Sequence, residues 1–226
     1  MQRADSFTAS GTWIMSIEIV FASKNSHKLK EVERIVDSVC KDFTIIGLEQ
    51  WNDVPDVVES GATFAANALL KARAIHEHTG RSVIADDSGI CVDALNGMPG
   101  IFSARWAGNH GEDVANLNLL LSQLKDVPDQ RRSAQFVCAV AIVHEDGTER
   151  VVEGTIEGSI TRSAVGDGGF GYDPIFQPVG LALTTAQLDA AHKDLISHRG
   201  QAIRAAIAEL KSLYNLGCGS DCSCNS

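Results

Sequence analysis

The sequence predicts an α/β fold: a long, twisted mixed sheet flanked by helices on both sides, forming two lobes around a central cleft. Two observations carry this. In the first half, apolar runs of strand length alternate with segments of helical periodicity. In the second half, two strand-like segments meet at Glu145-Asp146-Gly147-Thr148, a hairpin signal that makes the sheet mixed rather than purely parallel. A chain of 226 residues, 44% hydrophobic and 21% charged, is long enough to bury such a core. The domain is placed over residues 16–217, after a flexible extension (1–15) and before a flexible Cys-containing tail (218–226).

Bulk properties narrow the function. No apolar run approaches the ~20 residues that span a bilayer, and the first fifteen residues lack the apolar core of a secretory signal. A cytoplasmic protein is expected. The net charge of −10 argues against a nucleic-acid polymer, which calls for a basic face, but leaves room for a small phosphorylated ligand. Cys40, Cys91 and Cys138 sit in apolar surroundings and read as core thiols. Cys218, Cys222 and Cys224 have no second ligand pair and read as part of a disordered end.

Ile17 to Ala22 forms a first buried strand. Ser23-Lys24-Asn25-Ser26 turns, and Leu29, Val32, Ile35, Val36 and Val39 then recur at helical spacing. A strand, a polar loop and a helix N-terminus together offer an anion site. Lys28 falls in the first helical turn, where the dipole disfavours a cation; a phosphate accounts for it, and a solvated lysine is the plainer alternative. Phe43 to Leu48 is a second strand, and the acidic segment Glu49 to Glu59, with Pro55, is a loop. Thr63 caps a helix that runs to about His78 and stops at Gly80. Glu59, just ahead of it, is either a favourable charge near that helix or a metal ligand.

Val83, Ile84 and Ala85 read as a buried strand that breaks into Asp86-Asp87-Ser88-Gly89. Adjacent carboxylates repel, so two ionised in a cleft need a cation or donors nearby. Mg²⁺ with phosphate oxygens would meet that need; a capping turn is the other reading. Asp113 to Leu124 is an amphipathic helix, and Gln135 to His144 and Glu149 to Ile160 are the hairpin strands. Gly166 to Phe176 satisfies G-x-G-x-x-G, yet no helix follows it, which argues against a dinucleotide fingerprint. Its glycines let backbone approach a flat ligand, Phe170 and Tyr172 offer stacking faces, and Asp173 an acceptor for a base N–H. Thr184 to Lys193 reads as a short helix. Ser197 caps a long amphipathic one ending near Leu216, with His198 and Arg199 in its first turn.

Four stretches carry a family resemblance. ADDSGICVDALNGMPGIFSARWAG resembles the signature of the inosine/xanthosine triphosphate pyrophosphatases, the HAM1-like family. F-A-S-K-N-S-H-K is similar to its phosphate and ribose loop, which brings in Ser23, Lys24, Asn25, Ser26, His27 and Lys28, with Asn25 and Lys28 as matched positions. G-F-G-Y-D-P is similar to its purine loop (Phe170, Gly171, Tyr172, Asp173). Lys193, Ser197, His198 and Arg199 match its K-x-x-x-S-H-R element.

The resemblance implies Mg²⁺-dependent hydrolysis of non-standard purine nucleoside triphosphates (ITP, dITP, XTP) to the monophosphate and pyrophosphate, in a homodimer. Glu59, Asp86 and Asp87 would form the metal set, with Asp87 also the catalytic candidate. Lys28 and Lys71 would neutralise the triphosphate, helped by Ser88 and Asn67, and Phe170 would stack the base. Lys193, His198 and Arg199 would aim donors at a 6-keto oxygen, leaving the amino group of adenine facing another donor. Two positions depart from the pattern. Ala66 stands where a glutamate would complete a capping box with Thr63, and Gln187 stands where the family carries a charged glutamate. Two alternatives stay open: a Maf-like pyrophosphatase for pyrimidine or modified nucleotides, and a protein that binds nucleotides without hydrolysing them.

Overall fold

A computed structural model describes residues 3–7 and 13–216. Cys218, Cys222 and Cys224, with the rest of the tail, lie outside the described residues. The described strands are β1 (Arg3–Phe7), β2 (Trp13–Phe21), β3 (Phe43–Ile46), β4 (Val83–Val92), β5 (Met98–Pro99), β6 (Ser133–Val143), β7 (Glu149–Ile160) and β8 (Phe176–Pro178). They form one sheet in the order β1-β2-β4-β6-β7-β8, with β3 beside β2 and β5 beside β4. β2 runs parallel to β3 and β4, and the other pairings are antiparallel. The mixed sheet is the one expected. Arg3–Phe7 was read as part of an extension; it pairs with Trp13–Ile17 and prolongs the sheet.

Five α-helices are described: α1 (Ser26–Val39), α2 (Phe64–Thr79), α3 (Asp113–Gln123), α4 (Ala190–Ile196) and α5 (His198–Leu213). Thr63 caps α2 by accepting from Ala66 N at 3.1 Å, and Gly80, at φ +65°, ends it. The segment read as one helix over Thr184 to Lys193 is instead a 3₁₀ turn, Thr185–Gln187, followed by α4. Asp189 makes the break, because its side chain accepts from His192 N at 2.8 Å and so starts a new helix.

The alternation of strand side chains sorts the core into two faces. Ile19, Phe21, Ile84, Val140 and Ile142 pack with α1 and α5. Val20, Val83, Ala85, Ala139 and Ala141 pack with α2 on the other face. The far ends of β4 and β6 bury Ile90 and Phe136 against Leu117 and Leu120 of α3.

β4 departs from its sequence reading. It does not break at Asp86 but continues to Val92, its register running Asp86↔Val140, Asp87↔Ala139, Ser88↔Cys138, Gly89↔Val137. Turn-forming residues here yield to a full antiparallel ladder with β6, which satisfies their backbone groups in a buried sheet.

The start of α5 lies unusually close to the sheet. A Cβ on Gly154 of β7 would collide with His198 O and stand 2.7 Å from Ala202 N. Gly200 likewise leaves room for the Asp194 carbonyl, which a Cβ would overlap. These two glycines let the α4–α5 corner carry His198 and Arg199 inward. We predict that Gly154→Ala destabilises the fold by ~1–3 kcal/mol, read as a lower urea midpoint at unchanged slope. A wild-type midpoint would mean that the approach is not tight.

Candidate active site

Asp86 and Asp87 are neighbours in sequence but project from opposite faces of β4. Asp86, 1% exposed, faces α1 and α5. Lys28 Nζ lies 2.9 Å from it, and Arg199 donates from Nε at 3.2 Å and Nη2 at 3.1 Å. Ser88 sits on the same face and accepts from Arg199 Nη2 at 2.8 Å. Burial pushes the Asp86 pKa up, but Lys28, Arg199 and Lys71 outweigh it and hold the carboxyl well below its usual range. Asp86 is a fixed anion.

Asp87 faces α2. Asn67 Nδ2 donates to it at 3.2 Å, and Lys71 Nζ lies at 3.0 Å. The same Lys71 ammonium lies 2.8 Å from Glu59 Oε1, while Arg105 donates to Glu59 Oε2 at 3.1 Å. Glu59 and Asp87 therefore face one point from two elements, with a cation between them. Burial raises the Asp87 pKa and the nearby Glu59 charge adds to it, so that Lys71 offsets the rise only in part. Glu59 goes the other way: Lys71 and Arg105 outweigh its burial and lower its pKa. Of the three carboxylates, Asp87 has the raised proton affinity. Among the described residues no group of three or more His, Cys, Asp or Glu side chains is gathered for a metal.

The other end of the cleft is built around Phe170. Lys193 Nζ lies 5.2 Å and Arg199 Cζ 5.5 Å from its ring centre, and the His27 ring stacks on it at 5.6 Å. Asp173 fixes the loop, accepting from Phe170 N at 2.9 Å, Thr185 Oγ1 at 2.8 Å and Lys193 Nζ at 2.6 Å. Tyr172 is 5% exposed and donates its hydroxyl to Ser103 O at 2.9 Å, so it anchors the loop and presents no open stacking face. His198 lies flat against Phe136 at 4.7 Å. Burial, then Arg199 and Lys193, push its pKa well below the usual histidine value, which keeps it neutral.

The sequence reading missed Glu31. On α1 it looks like one more polar position, yet it is buried, 2.8 Å from Lys193 Nζ and 2.5 Å from Arg199 Nη1. The only sequence signal is its place one turn after Lys28, on the same face.

The β2–α1 turn is more self-contained than an open anion site. Asn25 Oδ1 accepts from His27 N at 2.9 Å and Lys28 N at 3.2 Å, so it caps the helix it precedes. Ser23 Oγ accepts from Asn25 N at 3.2 Å, Ser26 is the first helical residue, and Lys24 pairs with Asp56 of the acidic loop. Gln187 completes a capping box by accepting from Thr184 N at 3.0 Å, and none of its hydrogen bonds reaches the ionic network. One cleft of about 500 Å³ joins the two ends, touching Lys28, Glu59, Lys71, Asp87, Phe170 and Lys193.

The arrangement defines a class: an α/β protein whose cleft sets buried carboxylates among cations at one end and an aromatic platform at the other. The chain belongs to the Ham1 family, whose model matches residues 19–209. It is similar to the dITP/XTP pyrophosphatase of Streptomyces coelicolor, 51% identical over 195 residues, covering 86% of this chain and 98% of the relative. That of Nocardia farcinica is 52% identical over 196 residues, covering 86% and 95%. Among solved structures, the Ham1 protein of Staphylococcus aureus superposes with a TM-score of 0.76 at 42% identity, over 87% of this chain and 99% of that one. A Ham1 protein of Coxiella burnetii gives 0.77 at 39% identity, covering 87% and 99%.

Glu31 and Asp86 both have folded-state pKa values below their ordinary 4.5 and 3.8. For Glu31 burial acts upward and is outweighed by Arg199 and Lys193. Each thus adds stability above its ordinary pKa that is lost as pH falls towards the folded-state value. Unfolding free energy, followed by urea titration, should fall below about pH 4.5. Glu31→Gln should cost ~3–5 kcal/mol at pH 7 by leaving two buried cations underpaired, and should flatten that acid limb. An unchanged limb would remove Glu31 from the account.

Proposed function

We propose that this chain hydrolyses the non-standard purine nucleoside triphosphates ITP, dITP and XTP to the monophosphate and pyrophosphate, with Mg²⁺ as cofactor. The supporting observation is that one cleft joins the lysine-bridged pair Glu59 and Asp87 to the Phe170 platform. The relatives named dITP/XTP pyrophosphatase favour the same substrates.

Mg²⁺ takes one or two protein carboxylates and completes its shell with phosphate and water. Glu59 and Asp87 fit that donor set, since both already converge on the Lys71 cation. Asp86 fits it less well, because it is 1% exposed and leaves β4 on the face opposite Asp87; its part in the metal set is to complete the local negative charge. When bound, Mg²⁺ supplies Lewis-acid neutralisation of the phosphate charge.

The residues then divide the work. Lys28 and Lys71 compensate the triphosphate, and Ser88 offers its hydroxyl to a phosphate oxygen. Water attacks the α-phosphorus and gives its proton to Asp87, the β4 carboxylate that lines the cleft beside Lys71. The bond to the β-phosphate bridging oxygen breaks, and pyrophosphate leaves with the electron pair. Phe170 stacks the purine. Lys193 has three donors, and Glu31 and Asp173 take two, which leaves one for a 6-keto oxygen. Neutral His198 adds a ring N–H. A homodimer and a cytoplasmic setting belong to the same proposal. Among the described residues no helix is long and apolar enough to cross a membrane.

Pyrophosphate release with Mg²⁺ should be strong for ITP, dITP and XTP and weak for ATP, whose 6-amino group would face a donor. Asp87→Asn should lower it by at least about 100-fold. A preference for dTTP or UTP would identify a Maf-like enzyme, and binding without release would identify a non-hydrolysing binder.

A further inference from the structure

The Phe170 loop is also tied down by Asp113, which lies outside the motifs considered so far, and by Ser103. Asp113, the first residue of α3, accepts from Gly171 N at 2.9 Å. Gly171 has φ +62°, a left-handed conformation that suits glycine, and it follows Phe170 directly. The next residue, Tyr172, donates to Ser103 O at 2.9 Å. Two consecutive loop residues are therefore held from the segment 100–116.

That segment is itself cross-braced by hydrogen bonds. Ser103 Oγ accepts from Ile90 N at 2.9 Å and donates to Gly100 O at 2.6 Å, which joins it to β4, the strand that carries Asp87. Asn116, buried, accepts from Ala107 N at 2.7 Å and donates to Ala104 O at 3.2 Å. Gly111 N donates to Ala104 O at 2.9 Å. The start of α3 is thereby held in place, and Asp113 with it.

An acid in the first turn of a helix is ordinarily a favourable charge near the dipole. Here the carboxylate is also spent on a backbone N–H of another loop, next to the ring that would carry the base. We infer that Asp113 is a positioning residue for the base platform: through Gly171 it sets where the Phe170 ring stands, and so governs affinity for the purine rather than for the phosphates. The inference rests on the proposed reading of Phe170 as the purine-stacking residue.

The test is binding of inosine monophosphate and of inorganic tripolyphosphate to the full chain by calorimetry. Asp113→Ala should weaken the nucleotide about tenfold, the scale of a lost hydrogen bond to a charged group, and leave tripolyphosphate within twofold. Asp113→Asn keeps an acceptor at the same place and should restore most of the affinity. Tyr172→Phe, which removes the second tie, should give a smaller loss of the same selectivity and serves if the alanine variant folds poorly. Equal weakening of both ligands, or no weakening of the nucleotide, overturns the inference. Selective loss of nucleotide affinity upholds it even if the wild type releases no pyrophosphate, a result that would contradict the proposed hydrolysis alone.

Discussion

Everything in the site depends on how a strand displays two adjacent acids. Successive side chains of β4 leave the sheet on opposite faces, so Asp86 and Asp87 meet different hydrogen-bond partners. Each face meets its carboxylate with different partners. On the side of α1 and α5, Lys28 and Arg199 close on Asp86, and the charge is spent holding buried cations in place. On the side of α2, Lys71 is shared between Asp87 and Glu59, and Arg105 closes on Glu59 alone, so that Asp87 is the less compensated of the two. A structural anion and a reactive one arise from the same dipeptide.

Arg199 shows how this arrangement reaches across the molecule. Its guanidinium holds Asp86 and Ser88 of β4 and Glu31 of α1, and the same group lies over the Phe170 ring. A planar fork with several fixed donors suits such a junction, which an ammonium could not reproduce. The corner that delivers it depends on the absence of side chains at Gly154 and Gly200. Ser197 adds the cap, accepting from Gly200 N at 3.0 Å. Packing, capping and charge balance converge there on one residue, so substitutions far from the cleft can disturb it.

The sequence carried the elements well where periodicity was long. α1, α2, α3 and α5 and the β6–β7 hairpin lie close to where apolar spacing and cap residues place them. It misled where local preference and tertiary pairing compete. Asp86-Asp87-Ser88-Gly89 looks like a turn because each residue favours one in isolation, yet the ladder with β6 carries the strand through. Most of the site residues named from the motifs do line the cleft, but their partners were not legible. Glu31 has no periodic or compositional mark, because its meaning comes from Lys193 and Arg199, more than 160 residues later. Asn25 and Tyr172 line the cleft and also bond to the protein's own backbone. Both can be seen only once the chain is folded.

The central claim is that the two acids have opposite electrostatic standing in the fold. Thermal unfolding of metal-free Asp86→Asn and Asp87→Asn at neutral pH addresses it directly. Asp86→Asn strips the counter-charge from buried cations and should lower the melting temperature by on the order of 10 °C. Asp87 has a pKa raised in the folded state, so its ionised form works against folding at neutral pH, and Asp87→Asn should leave the melting temperature unchanged or raise it. Opposite behaviour of the pair is the predicted result. Equal losses in both variants would contradict the account.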